Sequence, residues 1–398
     1  MVTLDDYRAM VPSGTIDMLR RLSERVRGRR LVHVSATRDA GGVAEILQGL
    51  VPLLEETGVE SAWETLDGDG AGPALGAALH RALQGGEEPV AAGVFDEYRA
   101  FVRRRAATTA LAGDVVVTHD ALPLGLVEVR GPEGQWVWRC HLDVSRPQRR
   151  AWAFLRPFLV QYDAAVFSLP AFAQRLPIPQ FMMYPAIDPL SDKNRELTPR
   201  EVDAVLGRLG VPQDVPILLQ VGRFDRFKDP LGVVEAYRLV KRHHECRLVL
   251  VGSAETDDPE GAELSAEVRD AAARDPDIHV LALGSHQAIE VNALQRAATI
   301  VFQKSTREGF GLGVAEAMWK SKPVIAGFAG GITAQIVYGV TGFTVNSVEG
   351  AAFRARQLLV DPELRVRIGT AAREHVRQHF LITRHLGDTL ALAASLLA

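Results

Sequence analysis

Cysteine is scarce in this chain. Two occur in 398 residues, Cys140 and Cys246. That is too few for a disulfide framework or a multi-cysteine metal site, so both are expected as reduced, buried thiols. There is no basic surplus either. The net charge is −4, which lacks the electrostatic footprint of a protein that grips nucleic acid non-specifically. Lysine is sparse, and arginine carries most of the positive charge. No stretch approaches the ~20 apolar residues of a membrane span, and no basic amphipathic face suits a lipid surface. The opening residues, Met1-Val2-Thr3-Leu4-Asp5-Asp6, are acidic and lack the apolar segment of a secretory signal. These absences predict a cytoplasmic protein with no nucleic-acid or membrane partner. Walker A, G-x-S-x-G and H-E-x-x-H motifs are also missing, as are internal repeats at 20–50 residues and low-complexity tracts.

What is present is regular alternation. At ~100–200 residues per domain, the length predicts two domains. Leu31-Val32-His33-Val34 reads as a first strand. Behind it Val43, Ile46, Leu47, Leu50, Leu53 and Leu54 share one helical face, with Pro52 placed to kink the helix. Val115-Val116-Val117, Trp136-Val137-Trp138 and Ala165-Val166-Phe167 continue the series. Residues 185–199 are turn-rich and polar and hold the junction. A second series follows at 217–221, 248–251, 279–281, 300–302, 324–325 and 343–345. Short apolar runs between amphipathic helices argue for parallel sheets covered on both faces, with ligands outside the carboxyl ends of the strands. The fold class expected is α/β, with two doubly wound Rossmann-like domains facing across a cleft: 1–190, 191–380, and a final helix, 381–398, returning toward the first domain.

The most informative segment runs from Arg307 to Met318, where Glu308 and Glu316 flank a glycine-rich turn. An apolar strand precedes it and helical spacing follows, which puts Glu308 on the loop and Glu316 in the first helical turn. Glycines let backbone N–H groups approach a ligand, and the positive end of a new helix favours phosphate. Two carboxylates so placed can hold two polyols, such as a hexose and a ribose. Upstream, Arg223 and Lys228 stand five apart after a strand. A guanidinium binds a diphosphate bidentately and an ammonium adds a point charge. Arg223, Asp225 and Lys228 also fit a solvated ion-pair cluster. In the first half, Gly41 and Gly42 open a helix after the first strand and suit a phosphate or sugar, or an ordinary turn. Glu45 is placed to cap that helix or to meet an acceptor. His141 and Asp143 follow one strand and would project at the cleft. Asp120 follows another, where it can bind sugar hydroxyls or form a turn. Asp67-Gly68-Asp69 has the D-x-D form of metal-dependent sugar transferases but reads as a loop. Gly309-x-Gly311-x-Gly313 is not the dinucleotide fingerprint. Asp257-Asp258-Pro259-Glu260-Gly261 reads as a polar loop.

Taken together, these residues resemble the retaining glycosyltransferases of family 4, which have the GT-B fold. Glu308-x7-Glu316 matches that family's E-x7-E signature, Arg223-x4-Lys228 its phosphate-binding pair, Gly41-Gly42 its glycine loop, and His141 its first-half histidine. Longer runs, among them Trp136 to Asp143, Ile187 to Asn194 and Arg307 to Lys320, look like the trehalose-forming synthases within it. The resemblance implies transfer of glucose from UDP- or ADP-glucose to free glucose, giving α,α-trehalose with retention, in a reaction that can also run backwards. It implies that Arg223 and Lys228 hold the diphosphate and Glu316 the ribose. Glu308, with the backbone of Gly309, Phe310, Gly311 and Leu312, would hold the hexose, and His141 would contact it. Arg223, Lys228, Glu308 and His141 are then the catalytic set, and Gly41 and Gly42 join the donor site. Asp120, Glu45 and Asp143 are candidates on the acceptor side. No protein metal site and no cofactor is required for the chemistry, with Mg2+ at most an accessory to the nucleotide. A homodimer is implied by the resemblance alone. Another small acceptor, of sucrose or glucosylglycerate type, fits the same donor, and a non-catalytic sugar-nucleotide sensor would keep the same residues.

Overall fold

Apolar runs covered on both faces become interior parallel strands, because only burial on each side offsets a continuous run of Val, Leu and Ile. The computed structural model describes residues 2–39, 41–68, 70–253, 259–284 and 286–398. The chain divides into two units, Met1–Ala186 with Phe380–Ala398, and Ile187–His379.

The first unit holds β1 (Arg30–Ser35), β2 (Glu60–Thr65), β3 (Val115–His119), β4 (Gln135–Arg139), β5 (Ala164–Phe167) and β6 (Gln180–Met182). They form one sheet in the order β2-β1-β3-β4-β5-β6, parallel throughout. The chain moves outward from β1 to β2 and then returns to the other side of β1, so β1 and β3 flank the switch point where such sheets bind ligands. β3 is buried along its whole length. β2 and β6 are the edge strands. Neither is buried on both faces, so neither carries the continuous apolar run that marks an interior strand, and the sequence reading missed both. The helix Gly42–Glu56 stays a single helix through Pro52. The last helix, Ile382–Leu396, buries Leu386, Leu390 and Ala393 against the helices Thr15–Ser23 and Gly42–Glu56. Its approach is close, since a Cβ on Gly387 would stand 3.2 Å from Leu19 Cδ2. The return of the chain is pinned by Arg384, which donates to the carbonyls of Tyr184 at 2.6 Å and Pro185 at 3.0 Å.

The second unit holds β7 (Ile217–Val221), β8 (Arg247–Ser253), β9 (Ile278–Leu283), β10 (Ile300–Gln303), β11 (Val324–Gly327) and β12 (Phe343–Val345). Their order is β12-β11-β10-β7-β8-β9, again all parallel. Leu218, Leu248, Leu250, Ile300, Phe302 and Ile325 form the inner sheet face, packed on Val233, Tyr237, Val268, Leu358 and Ile368 from the helices. Here the direction of winding reverses between β7 and β10. Among the described residues no helix is long and apolar enough to cross a membrane.

Leu390 is fully buried, so Leu390→Ala removes packing from the first unit alone. We expect a loss of ~2–5 kcal/mol of unfolding free energy, confined to one of the transitions in a denaturant titration. A uniform shift of all transitions would contradict the assignment of the last helix to the first unit.

Candidate active site

β7 and β10 are neighbours, so the loops that leave their carboxyl ends meet. After Val221 comes Gly222, then Arg223 and Phe224. The Phe224 ring is buried against Gly252 at the end of β8, where any Cβ would overlap it. That anchor turns Arg223 outward. Its side chain is 63% exposed, with Asp225 at 3.3 Å. Asp225 also caps the short 3-10 helix Arg226–Lys228, accepting from the Lys228 N–H at 3.0 Å. Lys228 folds back over Gly222, and its carbonyl accepts from Gln220 Nε2 at 2.8 Å. Its ammonium pairs with the Glu308 carboxylate, and the two side chains are only 18% and 12% exposed. Lys228 and Arg223 therefore do not form one solvated cluster: Arg223 is exposed, and Lys228 is held against β10.

Glu308 is fixed from three sides. Besides Lys228 it accepts from Ser305 Oγ at 3.0 Å and from Gln303 Nε2 at 3.4 Å. The backbone beyond it is held by its carbonyls. Gly331 N–H donates to Glu308 O at 3.1 Å. Gln335 Nε2 donates to Phe310 O at 2.5 Å and to Gly311 O at 3.3 Å. In planar trans peptides the N–H points opposite to the carbonyl, so the Gly309 N–H faces away from Gly331, and those of Gly311 and Leu312 face away from Gln335. Gly311 has φ +82°, and a Cβ there would stand 3.1 Å from Glu308 Cγ, so glycine is favoured on both counts. Gly311 caps the helix Leu312–Trp319, whose amino end adds the partial positive charge of its unpaired N–H groups.

Glu316 is the fifth residue of that helix, in its second turn and not the first as the spacing suggested. It is 1% exposed, with Lys193 Nζ 3.1 Å from Oε1 and Gln295 Nε2 donating to Oε2 at 3.1 Å. Burial opposes its charge, but Lys193 and Lys320 beside it, with the bond from Gln295, hold the carboxyl below its ordinary range. Lys320 is itself buried and donates to Asn194 Oδ1 at 2.8 Å. Burial pushes its ammonium down to about 7 against the pull of Glu316.

In the first unit, Gly41 has φ +88° and caps the helix Gly42–Glu56. Glu45 is exposed in the first turn. Asp120 follows β3 with φ +63°, a left-handed conformation that aspartate tolerates. Its Oδ1 accepts from the His141 N–H at 2.7 Å, and burial pushes its carboxyl up to about 6. The buried Asp143 accepts from Ser145 N–H at 3.0 Å and Ser145 Oγ at 2.5 Å, an Asx turn. His141 is half-buried. Its Nε2 lies 2.9 Å from His119 Nδ1, and His119 Nε2 lies 3.1 Å from His33 Nδ1. Asp69 of the D-x-D run, and Asp257 and Asp258 of the acidic loop, lie outside the described residues. Among the described residues no group of three His, Cys, Asp or Glu side chains is placed to hold a metal ion.

Sequence reasoning found both loops of the second unit and missed their supports. Lys193 lies in a segment whose residues signal a turn-rich junction, yet it pairs with Glu316. Gln303, Ser305 and Gln335 carry no motif of their own. His33 and His119 had a signal, since each falls at or near the end of an apolar run, as His141 does.

Comparison with known proteins fits this arrangement. The family described as "Trehalose synthase, N-terminal domain" matches residues 33–174, and "Glycosyl transferases group 1" matches residues 203–375. The trehalose synthase of Rubrobacter xylanophilus is 41% identical, covering 99% of this chain and 97% of that one. That of Pyrococcus horikoshii is 40% identical, covering 99% and 96%. The chain belongs to the trehalose synthase family. Its fold is GT-B, a pair of Rossmann-like units. The solved structure "Trehalose-6-phosphate from E. coli bound with UDP-2-fluoro glucose" shares that fold at a TM-score of 0.71 and 14% identity, covering 92% of this chain and 99% of that one. The chain is thus a glycosyltransferase of trehalose metabolism. Within the family, the glycosyl transferase match spans Arg223, Lys228, Glu308 and Glu316, and the trehalose synthase match spans Gly41, Gly42, Asp120 and His141.

The shifted lysine beside Glu316 has a measurable consequence. Below about pH 7 Lys320 is charged in both folded and unfolded chains, and its burial penalty is fully present. Between about 7 and its ordinary 10.5 only the unfolded chain holds the proton, so this site's contribution to stability rises with pH. Lys320→Met removes that slope. Denaturant titrations at pH 7 and pH 9 should show a smaller gain for the variant than for the native chain, and equal gains would overturn the shifted lysine.

Proposed function

We propose that this trehalose synthase family member transfers glucose from a nucleoside diphosphate glucose, UDP- or ADP-glucose, to free glucose, forming α,α-trehalose with retention. One observation carries the reading: Lys228, from the loop after β7, pairs with Glu308, from the loop after the adjoining β10 and just before the helix Leu312–Trp319, and Arg223 stands exposed on the first of these loops. A diphosphate fits the two cations and the helix end, and a hexose fits the carboxylate beside them. The relatives named trehalose synthase and the fold neighbour solved with UDP-2-fluoro glucose support the same class of donor and product.

In this reading Arg223 and Lys228 stabilise the charge that grows on the departing diphosphate. Glu308 holds the transferred hexose and Glu316 the ribose. His141 contacts the hexose, and Asp120 lies on the acceptor side with Glu45 and Asp143. Retention by two inversions would need a carboxylate nucleophile, and none of these residues is assigned that part. The acceptor hydroxyl attacks from the face the diphosphate leaves, and a leaving phosphate oxygen takes its proton. The protein then supplies positioning, charge stabilisation and exclusion of water.

The direct test is incubation with UDP- or ADP-glucose and free glucose, followed by analysis for a non-reducing disaccharide. Trehalose supports the reading. Product formed only with another acceptor changes the acceptor, and binding without turnover makes the protein a sensor. Arg223→Ala and Lys228→Ala should each lower turnover at least ~100-fold in folded protein, and near-normal rates in either would remove the assigned roles.

A further inference from the structure

We propose that His33 and His119 are positioning residues that fix the tautomer of His141, so that His141 offers Nδ1–H to a bound sugar oxygen. The sugar contact rests on the function proposed above, whereas the tautomer does not.

The three rings share one face of the first sheet. β1, β3 and β4 are adjacent, and register pairs His33 with Val117 and His119 with Arg139. Side chains alternate along a strand, so His33, His119 and Arg139 project to the same side, with His141 continuing the alternation just past β4. The chain of rings steps outward: His33 within the sheet, His119 at the end of its strand, His141 beyond. The His119 and His141 rings are stacked at 20° and those of His33 and His119 inclined at 35°. His33 and His119 are buried, and His141 alone is half-buried.

Burial disfavours the charged form of all three rings. Burial pushes His33 down to about 4, and burial drives His119 and His141 well below the ordinary value, with Arg139 adding to the effect on both. The other groups that face them reinforce this. His385, from the last helix, is likewise driven well below its ordinary value by burial, with Arg384 and Arg139 adding to it. The Asp120 carboxylate is bonded to the backbone N–H of His141 and not to its ring.

A neutral imidazole has one N–H and one lone pair. Each ring-to-ring contact needs one of each, so three linked rings allow two arrangements. In the first, every proton sits on Nε2. His141 then donates to His119, His119 donates to His33, and His33 is left with a buried Nε2–H. In the second, every proton sits on Nδ1. His33 donates to His119, His119 donates to His141, and the outermost Nδ1–H is that of His141. His33 Nε2 is buried with no hydrogen-bond partner among the described residues. A buried N–H without an acceptor is worse than a buried lone pair without a donor, which selects the second arrangement. The tautomer at the exposed end is thus decided at the buried end.

The test is a long-range 1H–15N spectrum of the full chain labelled with 15N-histidine at pH 7.5. We expect Nδ1–H on His33, His119 and His141; Nε2–H on His141, or a doubly protonated ring, overturns the proposal. His33→Asn places an amide nitrogen near the old Nδ1 and should preserve Nδ1–H on the other two rings. His33→Leu removes the donor and should give His141 a mixture of tautomers, with kcat for glucosyl transfer lowered ~10-fold and KM for the donor little changed. Native activity in a folded His33→Leu that has lost the His141 Nδ1–H overturns the role toward sugar. Should both variants fail to fold, the native spectrum still decides the tautomer. A protein with the expected spectrum but no glucosyl transfer would overturn the function proposed above and leave the hydrogen-bond direction standing.

Discussion

The pair between Lys228 and Glu308 is the constraint on which the second unit's site depends. The two residues are 80 apart in sequence, and only the adjacency of β7 and β10 brings them together. Everything around the pair is arranged to keep it. Phe224 on Gly252 sets the path of the first loop, and Ser305 and Gln303 complete the carboxylate's bonds. Gln335 and Gly331 hold the backbone beyond. A partly buried pair of this kind leaves a costly unpaired charge when one partner is removed. An anion that took up Lys228 would therefore also alter what holds Glu308.

A second ionic group lies deeper. Glu316, Lys193 and Lys320 share one pocket, with Gln295 and Asn194 completing the hydrogen bonds. The two ammonium groups favour the ionised carboxylate, while burial makes the Lys320 ammonium hard to charge. The residue that the sequence presents as a ligand grip is thus held ready as an anion by lysines from two different segments.

The sequence made the interior of both sheets legible, because a strand covered on two faces must be apolar throughout: Val115-Val116-Val117 and Leu248-Val249-Leu250-Val251 admit little else. It left the edges of the first sheet unread. Glu60 to Thr65 and Gln180 to Met182 are only half covered, so their composition follows solvent as much as core. The same division holds at the site. Arg223, Lys228, Glu308 and Glu316 stand out by charge and spacing near glycines. Lys193, Ser305, Gln335, His33 and His119 do not, because their roles arise from register and from contacts between distant segments. A helix face can be read from local periodicity, whereas a chain of three imidazoles requires knowing which strands are neighbours.

The chain passes from the first unit into the second and then returns for its last nineteen residues, Phe380–Ala398. The second unit is continuous and the first is not. During synthesis from the amino end, the helices Thr15–Ser23 and Gly42–Glu56 therefore emerge long before the helix that covers them. The unit translated first is the unit completed last. Its apolar face must wait, uncovered, until Ile382–Leu396 has been made, while the later unit already has every residue it needs.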